Sequence, residues 1–412
     1  MIEMGYSMVK QRVVIIGGGQ AGGQTALSLR EGGHCGQVVV VAAEPRLPYE
    51  RPPLSKEILT GEAEPDTALL ADARRLSELR IDVLKGVAAT AIHTNARQVQ
   101  LADGRLLDYD DLVLTTGSKP RRLAYAGHTG MLPVLRDMDD ALTLRDRLQA
   151  GVRLVVVGGG VIGLELASSA LTRGVRPVVI EAANWIMARQ IGPAASALLA
   201  ALHRAAGTDL FLGRSLRAVD RQGEEIVLTL ADGIQVRADV AIAAIGVVPD
   251  TALAEAAGIA CDDGILVDAL GRTSHPGIWA AGDVARGPVG WADWLVRQET
   301  WRNADIHARR VAAAILGATD GGAGNEVPGF WSDQLGHRLQ AEGQCLGEEI
   351  VRAQGGAGDF ASFYLHGGRL VGCVVLDNPK FAALARRAIA RMAEPDPAAL
   401  ADPATDLRQA LR

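Results

Sequence analysis

Cysteine is scarce in this chain, and what there is stands apart. Only Cys35, Cys261, Cys345 and Cys373 occur in 412 residues. No two form C-x-x-C or C-x4-C, and no metal-ligand cluster stands out. The four read as reduced thiols of a cytoplasmic protein. No run of eighteen or more apolar residues exists, which argues against a transmembrane helix. Residues 1–10 lack the apolar stretch of a secretory signal. A basic surplus is missing too: 42 basic against 48 acidic side chains leave a net charge of −6. That balance argues against a general nucleic-acid binder. Extended low-complexity sequence is absent.

What is present is apolar and repeated. Apolar residues make up 48%, enough for sizeable cores, and the length asks for two or three domains. One fingerprint occurs twice. Val13-Val14-Ile15-Ile16 runs into Gly17-Gly18-Gly19-Gln20-Ala21-Gly22, and Leu154-Val155-Val156-Val157 into Gly158-Gly159-Gly160-Val161-Ile162-Gly163. Each apolar run reads as a buried parallel strand. Helices are expected near 22–31 and 164–172, and second strands at 37–41 and 178–180, ending near Glu44 and at Glu181. In G-x-G-x-x-G the first glycine (Gly17, Gly158) permits a tight turn. The second (Gly19, Gly160) admits a pyrophosphate, and the third (Gly22, Gly163) lets the helix pack on the strand. The helix N-terminus offers N–H groups and a positive dipole end to the phosphate.

Glu44 and Glu181 stand where a ribose-binding acid belongs, or are ordinary acids after a strand. A carboxylate accepts from ribose hydroxyls and repels a 2′-phosphate, so Glu181 argues for NADH over NADPH; Arg189 lies close enough in sequence to bear on the choice. Two dinucleotides on one chain imply a flavin beside a nicotinamide cofactor, and hence redox chemistry.

Three further strand-and-glycine segments shape the domain plan. Residues 111–117 end at Thr116-Gly117, residues 240–246 at Ile245-Gly246, and residues 277–283 at Gly282-Asp283, before a long helical region. The first domain is therefore expected to be discontinuous, 1–118 with 247–325, and the second, 119–246, inserted into it. Gly321-Gly322-Ala323-Gly324 reads as a linker. Alternating segments at 360–365 and 370–376 suggest an antiparallel sheet in a third unit, 326–412. The tail after Pro395 reads as a loosely attached helix.

At Arg51-Pro52-Pro53-Leu54-Ser55-Lys56 the sequence becomes specific. With both fingerprints, Thr116-Gly117, Ile245-Gly246, Gly282-Asp283 and Trp331-Ser332-Asp333-Gln334, it resembles the ferredoxin reductases of bacterial oxygenase systems, those of biphenyl-type dioxygenases and camphor-type cytochrome P450 systems. The resemblance runs from about Val13 to Phe381. It implies an α/β fold of glutathione-reductase type: two Rossmann-like dinucleotide domains, for FAD and NADH, and a C-terminal α+β domain. By that similarity Gly17, Gly19, Gly22, Glu44, Arg51, Lys56, Thr116, Gly117 and Asp283 would hold FAD, with Glu299, Thr300 and Trp301 along its ring edge. Gly158, Gly160, Ile162, Gly163, Glu165, Glu181, Arg189 and Gly246 would frame NADH.

Lys56 carries a chemical reading of its own, as a cation that stabilises negative charge on a reduced flavin. The resemblance pairs it with Glu165; the plainer reading is a surface lysine and a helix acid. Trp331 is a core aromatic or, by resemblance, lies near the flavin. Residues 45–56 hold no cysteine, unlike disulphide reductases, peroxidases and oxidases of this fold, so electrons should pass directly to an external acceptor. A flavin bridges a two-electron donor and a one-electron ferredoxin. Arg297, Arg302, Arg309 and Arg310 would steer an acidic [2Fe–2S] ferredoxin, or form a solvated helix face. The segment 287–295, with Trp294, reads either as a partner contact or as buried. The expectation is an NADH:ferredoxin reductase that indirectly serves a terminal oxygenase. A rubredoxin reductase and a redox-sensing flavoprotein similar to apoptosis-inducing factor are the alternatives.

Overall fold

The computed structural model describes residues 11–125, 130–290, 292–319, 326–353 and 360–412. The leader, Trp291 and the glycine linker at 321–324 lie outside them. The chain divides into two compact units: residues 1–50, 68–119 and 249–324, and residues 51–67, 120–248 and 325–412.

The first unit is built on five parallel strands, in the order Ile278–Ala280, Asp111–Leu114, Val13–Ile16, Val38–Ala42, Ile81–Lys85. Every residue of the three central strands is buried, which explains why they read as continuous apolar runs. Alternate side chains serve opposite faces. Val13, Ile15, Val38, Val40 and Val113 pack with Leu29 of the helix Gln20–Glu31 and Val311 of the helix Trp301–Ile315. Val14, Ile16, Val41, Leu112 and Leu114 pack with Ile92, Val99 and Leu101 of a three-stranded antiparallel sheet.

The second unit repeats this plan. Four parallel strands run in the order Asp209–Phe211, Pro177–Ile180, Leu154–Val157, Val240–Ala243. The helix Val161–Thr172 covers one face through Leu166, Ala167 and Ala170. An antiparallel sheet covers the other through Val219, Ile226 and Leu228. In each sheet the strand before the fingerprint lies between its two neighbours. The crevice at its carboxyl end, where the strand order reverses, therefore opens at Gly17 and at Gly158.

Compactness groups the segments further than the sequence suggests. Residues 51–67 belong to the second unit. The C-terminal sheet, five antiparallel strands spanning Gly329–Gln334 to Arg369–Leu376, joins that unit too. Its Leu339, Ala341, Tyr364 and Val374 share one core with Leu164, Ile186, Ala195 and Leu199 of the inserted module. The tail is not loose. It forms two short helices, Pro397–Ala401 and Leu407–Ala410, with Leu400, Leu407 and Leu411 buried. The buried Arg352 guanidinium collects the carbonyls of Leu400, Asp402, Pro403 and Thr405.

Candidate functional site

In the first unit, the glycines of the loop at 17–22 are required for two different reasons. Gly17 has φ +118°, and a Cβ there would sit 2.2 Å from the Thr115 carbonyl oxygen; a Cβ on Gly22 would meet the Gly17 carbonyl at 1.9 Å. The protein itself dictates these two. Gly19 has φ −89° and no protein atom within 4 Å of a would-be Cβ. Nothing in the fold demands glycine there, whereas a close-lying pyrophosphate does. The helix that follows has no side-chain cap and no acid in its first turn. Its amide dipoles are thus open to an anion. The residues present fit a dinucleotide.

Around this loop the structure places the other expected residues of the unit. Glu44 accepts from the Tyr49 hydroxyl. Gly117 adopts φ +68° at the end of its strand. Thr116 Oγ1 donates to the Asp250 carbonyl at 2.7 Å, and Ser118 Oγ to Asp283 at 3.1 Å. The long helical region that the sequence suggested after Gly282-Asp283 does not begin there. Ala285–Val289 and Ala292–Arg297 form a hairpin, and the helix starts only at Trp301, capped by Thr300 Oγ1 accepting from Asn303 N–H.

The arginines separate. Arg297 is 9% exposed and ion-paired with Glu299 at 2.5 Å and Asp263 at 3.3 Å. It ties the hairpin to two acids of its own unit. Arg309 is exposed and paired with Asp305 one turn earlier; Arg302 and Arg310 are half-buried. Trp294 is 37% exposed.

In the second unit, Gly158 (φ +113°), Gly160 and Gly163 repeat the pattern. Cβ atoms at the first and third would meet the Ala244 and Gly158 carbonyl oxygens at 2.3 and 2.0 Å, and one at Gly160 would meet nothing. Glu181 is pinned over the loop by accepting from Gly159 N–H at 2.7 Å and Ala183 N–H at 2.8 Å. Each oxygen keeps a lone pair for a ribose hydroxyl. Ile162 is 43% exposed on the first turn of the helix. Arg189 reaches the backbone of Gly246, its Nη1 3.1 Å from where a Cβ would lie. Both fit a nicotinamide dinucleotide.

The second unit also assembles a charged pair. The turn Pro52–Ser55 sets Ser55 and Lys56 against the helix Val161–Thr172, tied by Ser169 Oγ donating to the Ser55 carbonyl at 2.6 Å. Arg51 donates to the Arg136 carbonyl. Lys56 Nζ lies 3.3 Å from Glu165 Oε1, with side chains 12% and 3% exposed. The same carboxylate accepts from the Ser55 hydroxyl and, at 2.6 Å, from the Ser332 hydroxyl. Burial pushes the Glu165 carboxyl above the ordinary range; Lys56 and then the two hydroxyls oppose it. Trp331 does not join this group. Strand alternation turns Ser332 and Gln334 inward and leaves Trp331 half-buried on the other face with Asp333. Ser55 and Ser332 were missed as site residues, although each sits inside one of the two specific motifs. His203 and Thr208, which continue the buried polar line, carry no signal in the sequence.

Comparison with known proteins identifies the family. Residues 11–308 match the pyridine nucleotide-disulphide oxidoreductase family and residues 329–411 the reductase C-terminal family. The chain belongs to the first of these, among the ferredoxin reductase components of oxygenase systems. It is 38% identical over 407 residues to the ferredoxin reductase component of chlorobenzene dioxygenase from Cupriavidus sp. (strain PS12), 97% of each chain. It is 37% identical over 376 residues to putidaredoxin reductase of Pseudomonas putida, 89% of each. Among solved structures, the reductase in the covalent putidaredoxin reductase–putidaredoxin complex superposes with a TM-score of 0.92 at 35% identity, covering 97% of this chain and 98% of that one. Among the described residues, no helix is long and apolar enough to cross a membrane, and no group of three or more His, Cys, Asp or Glu side chains could hold a metal ion.

Proposed function

We propose that this chain is an FAD-dependent NADH:ferredoxin oxidoreductase. It takes two electrons from NADH and delivers them singly to a [2Fe–2S] ferredoxin that feeds an oxygenase or cytochrome P450. The observation that carries the reading is the buried Lys56–Glu165 pair beside a dinucleotide loop, in a chain whose second dinucleotide loop has its own open cradle. In this reading the unit of residues 1–50, 68–119 and 249–324 takes FAD, and the unit of residues 51–67, 120–248 and 325–412 takes NADH at its own fingerprint loop.

A bound flavin supplies the passage from a two-electron donor to a one-electron acceptor. The chain's own groups do the rest. The N–H groups behind Gly19 and Gly160 hold pyrophosphates. Glu181 accepts from the ribose hydroxyls of NADH, and its charge disfavours a 2′-phosphate. Lys56 presents a cation whose side chain is fixed by a buried carboxylate. A fixed cation stabilises negative charge that develops nearby and needs no reorganisation when it does. Glu165 is fixed in turn by Ser55 and Ser332. The absence of cysteine from residues 45–56 leaves no thiol relay at the first site.

The test is Lys56→Met, which keeps the side-chain volume. Stopped-flow mixing with NADH should show flavin reduction slowed by about 100-fold, the loss typical of one electrostatic donor, with flavin content retained. A rate equal to wild type removes Lys56 from the chemistry.

A further inference from the structure

A line of buried polar groups leads away from the Lys56–Glu165 pair and ends on a histidine that the chemistry above does not use. Ser332, Gln334, His203 and Thr208 are each at most 2% exposed. Gln334 Nε2 lies 2.7 Å from Ser332 Oγ, Gln334 Oε1 lies 2.9 Å from His203 Nε2, and His203 Nδ1 lies 3.2 Å from Thr208 Oγ1.

Chemistry gives this line a direction. An amide oxygen only accepts, so His203 Nε2 carries the proton. Burial shifts the imidazole towards its neutral form, against the bond to Gln334; in the neutral ring with Nε2 protonated, Nδ1 accepts from the Thr208 hydroxyl. The Gln334 nitrogen only donates, which makes Ser332 Oγ the acceptor there. The Ser332 hydrogen is then directed to Glu165 Oε1. Every donor along the line points towards Glu165. Protonation of Glu165 would turn the charge-assisted bond from Ser332 into a weaker neutral one.

The backbone holds both ends. The helix Pro193–Ala206 ends on left-handed Gly207, and Thr208 N–H returns to the His203 carbonyl at 2.9 Å, which keeps the two side chains adjacent. Gln334 ends its strand, and the turn Leu335-Gly336 has φ of +55° and +77°. Leu335 N–H donates to Ser168 Oγ at 2.8 Å, on the helix that carries Glu165. A non-glycine residue in the left-handed region is held there by its surroundings. Here it seats Gln334 between His203 and Ser332.

We propose that Gln334, His203 and Thr208 are positioning residues: their one-way hydrogen-bond line keeps Glu165 a carboxylate and so keeps the Lys56 ammonium on it. The inference rests on the role given to that pair above. The groups facing Glu165 are the Lys56 cation and the hydroxyls of Ser55 and Ser332. Those facing His203 are the neutral Gln334 and Thr208.

The experiment is an infrared titration of the carboxyl stretch in the flavin-loaded protein, with the Glu165 band assigned by its loss in Glu165→Gln. In Gln334→Met the midpoint for protonating Glu165 should rise by about one pH unit, a tenfold gain in proton affinity, since one charge-assisted hydrogen bond is weakened. Thr208→Val should raise it by less. The acid limb of the NADH reduction rate should move by the same amount as the infrared midpoint. A midpoint in Gln334→Met equal to wild type overturns the proposal. If the variants do not fold, neutron diffraction on the unaltered protein decides. Deuterium on His203 Nε2, with the Ser332 deuteron aimed at Glu165, supports the line; deuterium on His203 Nδ1 alone, or a Ser332 deuteron aimed at Gln334, overturns it. The infrared and neutron readouts do not depend on Lys56 acting on a cofactor. An unchanged Lys56→Met rate would sink the role of the pair and leave the titration free to decide the line.

Discussion

Gly17 and Gly19 stand two residues apart and answer to different masters. Gly17→Ala drives a methyl into the Thr115 carbonyl at a left-handed φ, so it should destabilise the apoprotein by about 3 kcal/mol or more. Gly19→Ala meets no protein atom. It should leave apoprotein stability within about 0.5 kcal/mol while the purified protein loses its flavin absorbance. Equal loss of stability in both would show that Gly19 is needed by the fold and not by a ligand. Glu181→Ala removes two charge-assisted acceptors of ribose hydroxyls. The KM for NADH should rise by about tenfold, near 1.4 kcal/mol, and the preference over NADPH should shrink in steady-state kinetics. Glu165 gives a pH dependence with a definite sign. Its carboxyl is raised by burial, so the ion pair is present at higher pH and is lost as pH falls through that raised value. Flavin reduction by NADH should therefore have an acid limb above the ordinary carboxylate range, and Glu165→Gln should abolish that limb in a pH–rate profile.

At the scale of elements, the tail shows what a single side chain can hold. Arg352 satisfies four carbonyls on residues 400–405, and Leu400, Leu407 and Leu411 are buried beneath. Arg352→Ala should destabilise the second unit by about 3 kcal/mol, since several buried acceptors lose their donor together. Urea unfolding would read this, and limited proteolysis should then cut first after residue 395. The tail was misread from sequence because its Ala, Pro and Asp composition speaks only of local preference, while its anchor comes from a strand about fifty residues earlier.

The central parallel strands and both glycine loops were legible because their signals are local: an apolar run, then glycines at fixed spacing. The hairpin at 285–297 was not, because Gly287 and the register shift beside it break the alternation. The Lys56–Glu165 pair was reached through family motifs. Its supports Ser55 and Ser332 bond to Glu165 across 110 and 167 residues, and His203 meets Gln334 across 131. Pairings of that range are set by the fold alone. Trp331 was placed in the catalytic group by resemblance, and strand alternation puts it on the other face.

For the whole molecule, the question is how electrons leave. The chain is net acidic, so electrostatic docking of the proposed ferredoxin would need a local basic patch; Arg309 is the exposed arginine of the helix Trp301–Ile315. Ferredoxin-linked turnover should fall as ionic strength rises, while reduction by NADH alone stays constant. A salt-independent ferredoxin rate would exclude electrostatic docking. NADH-driven cytochrome c reduction, with and without an added [2Fe–2S] ferredoxin, on the flavin-loaded protein decides whether the chain passes its electrons to a ferredoxin. Reduction by the reductase alone should be slow, and the ferredoxin should stimulate it strongly. A rate that no ferredoxin changes, in protein that carries its flavin and is reduced by NADH, would contradict the proposed function.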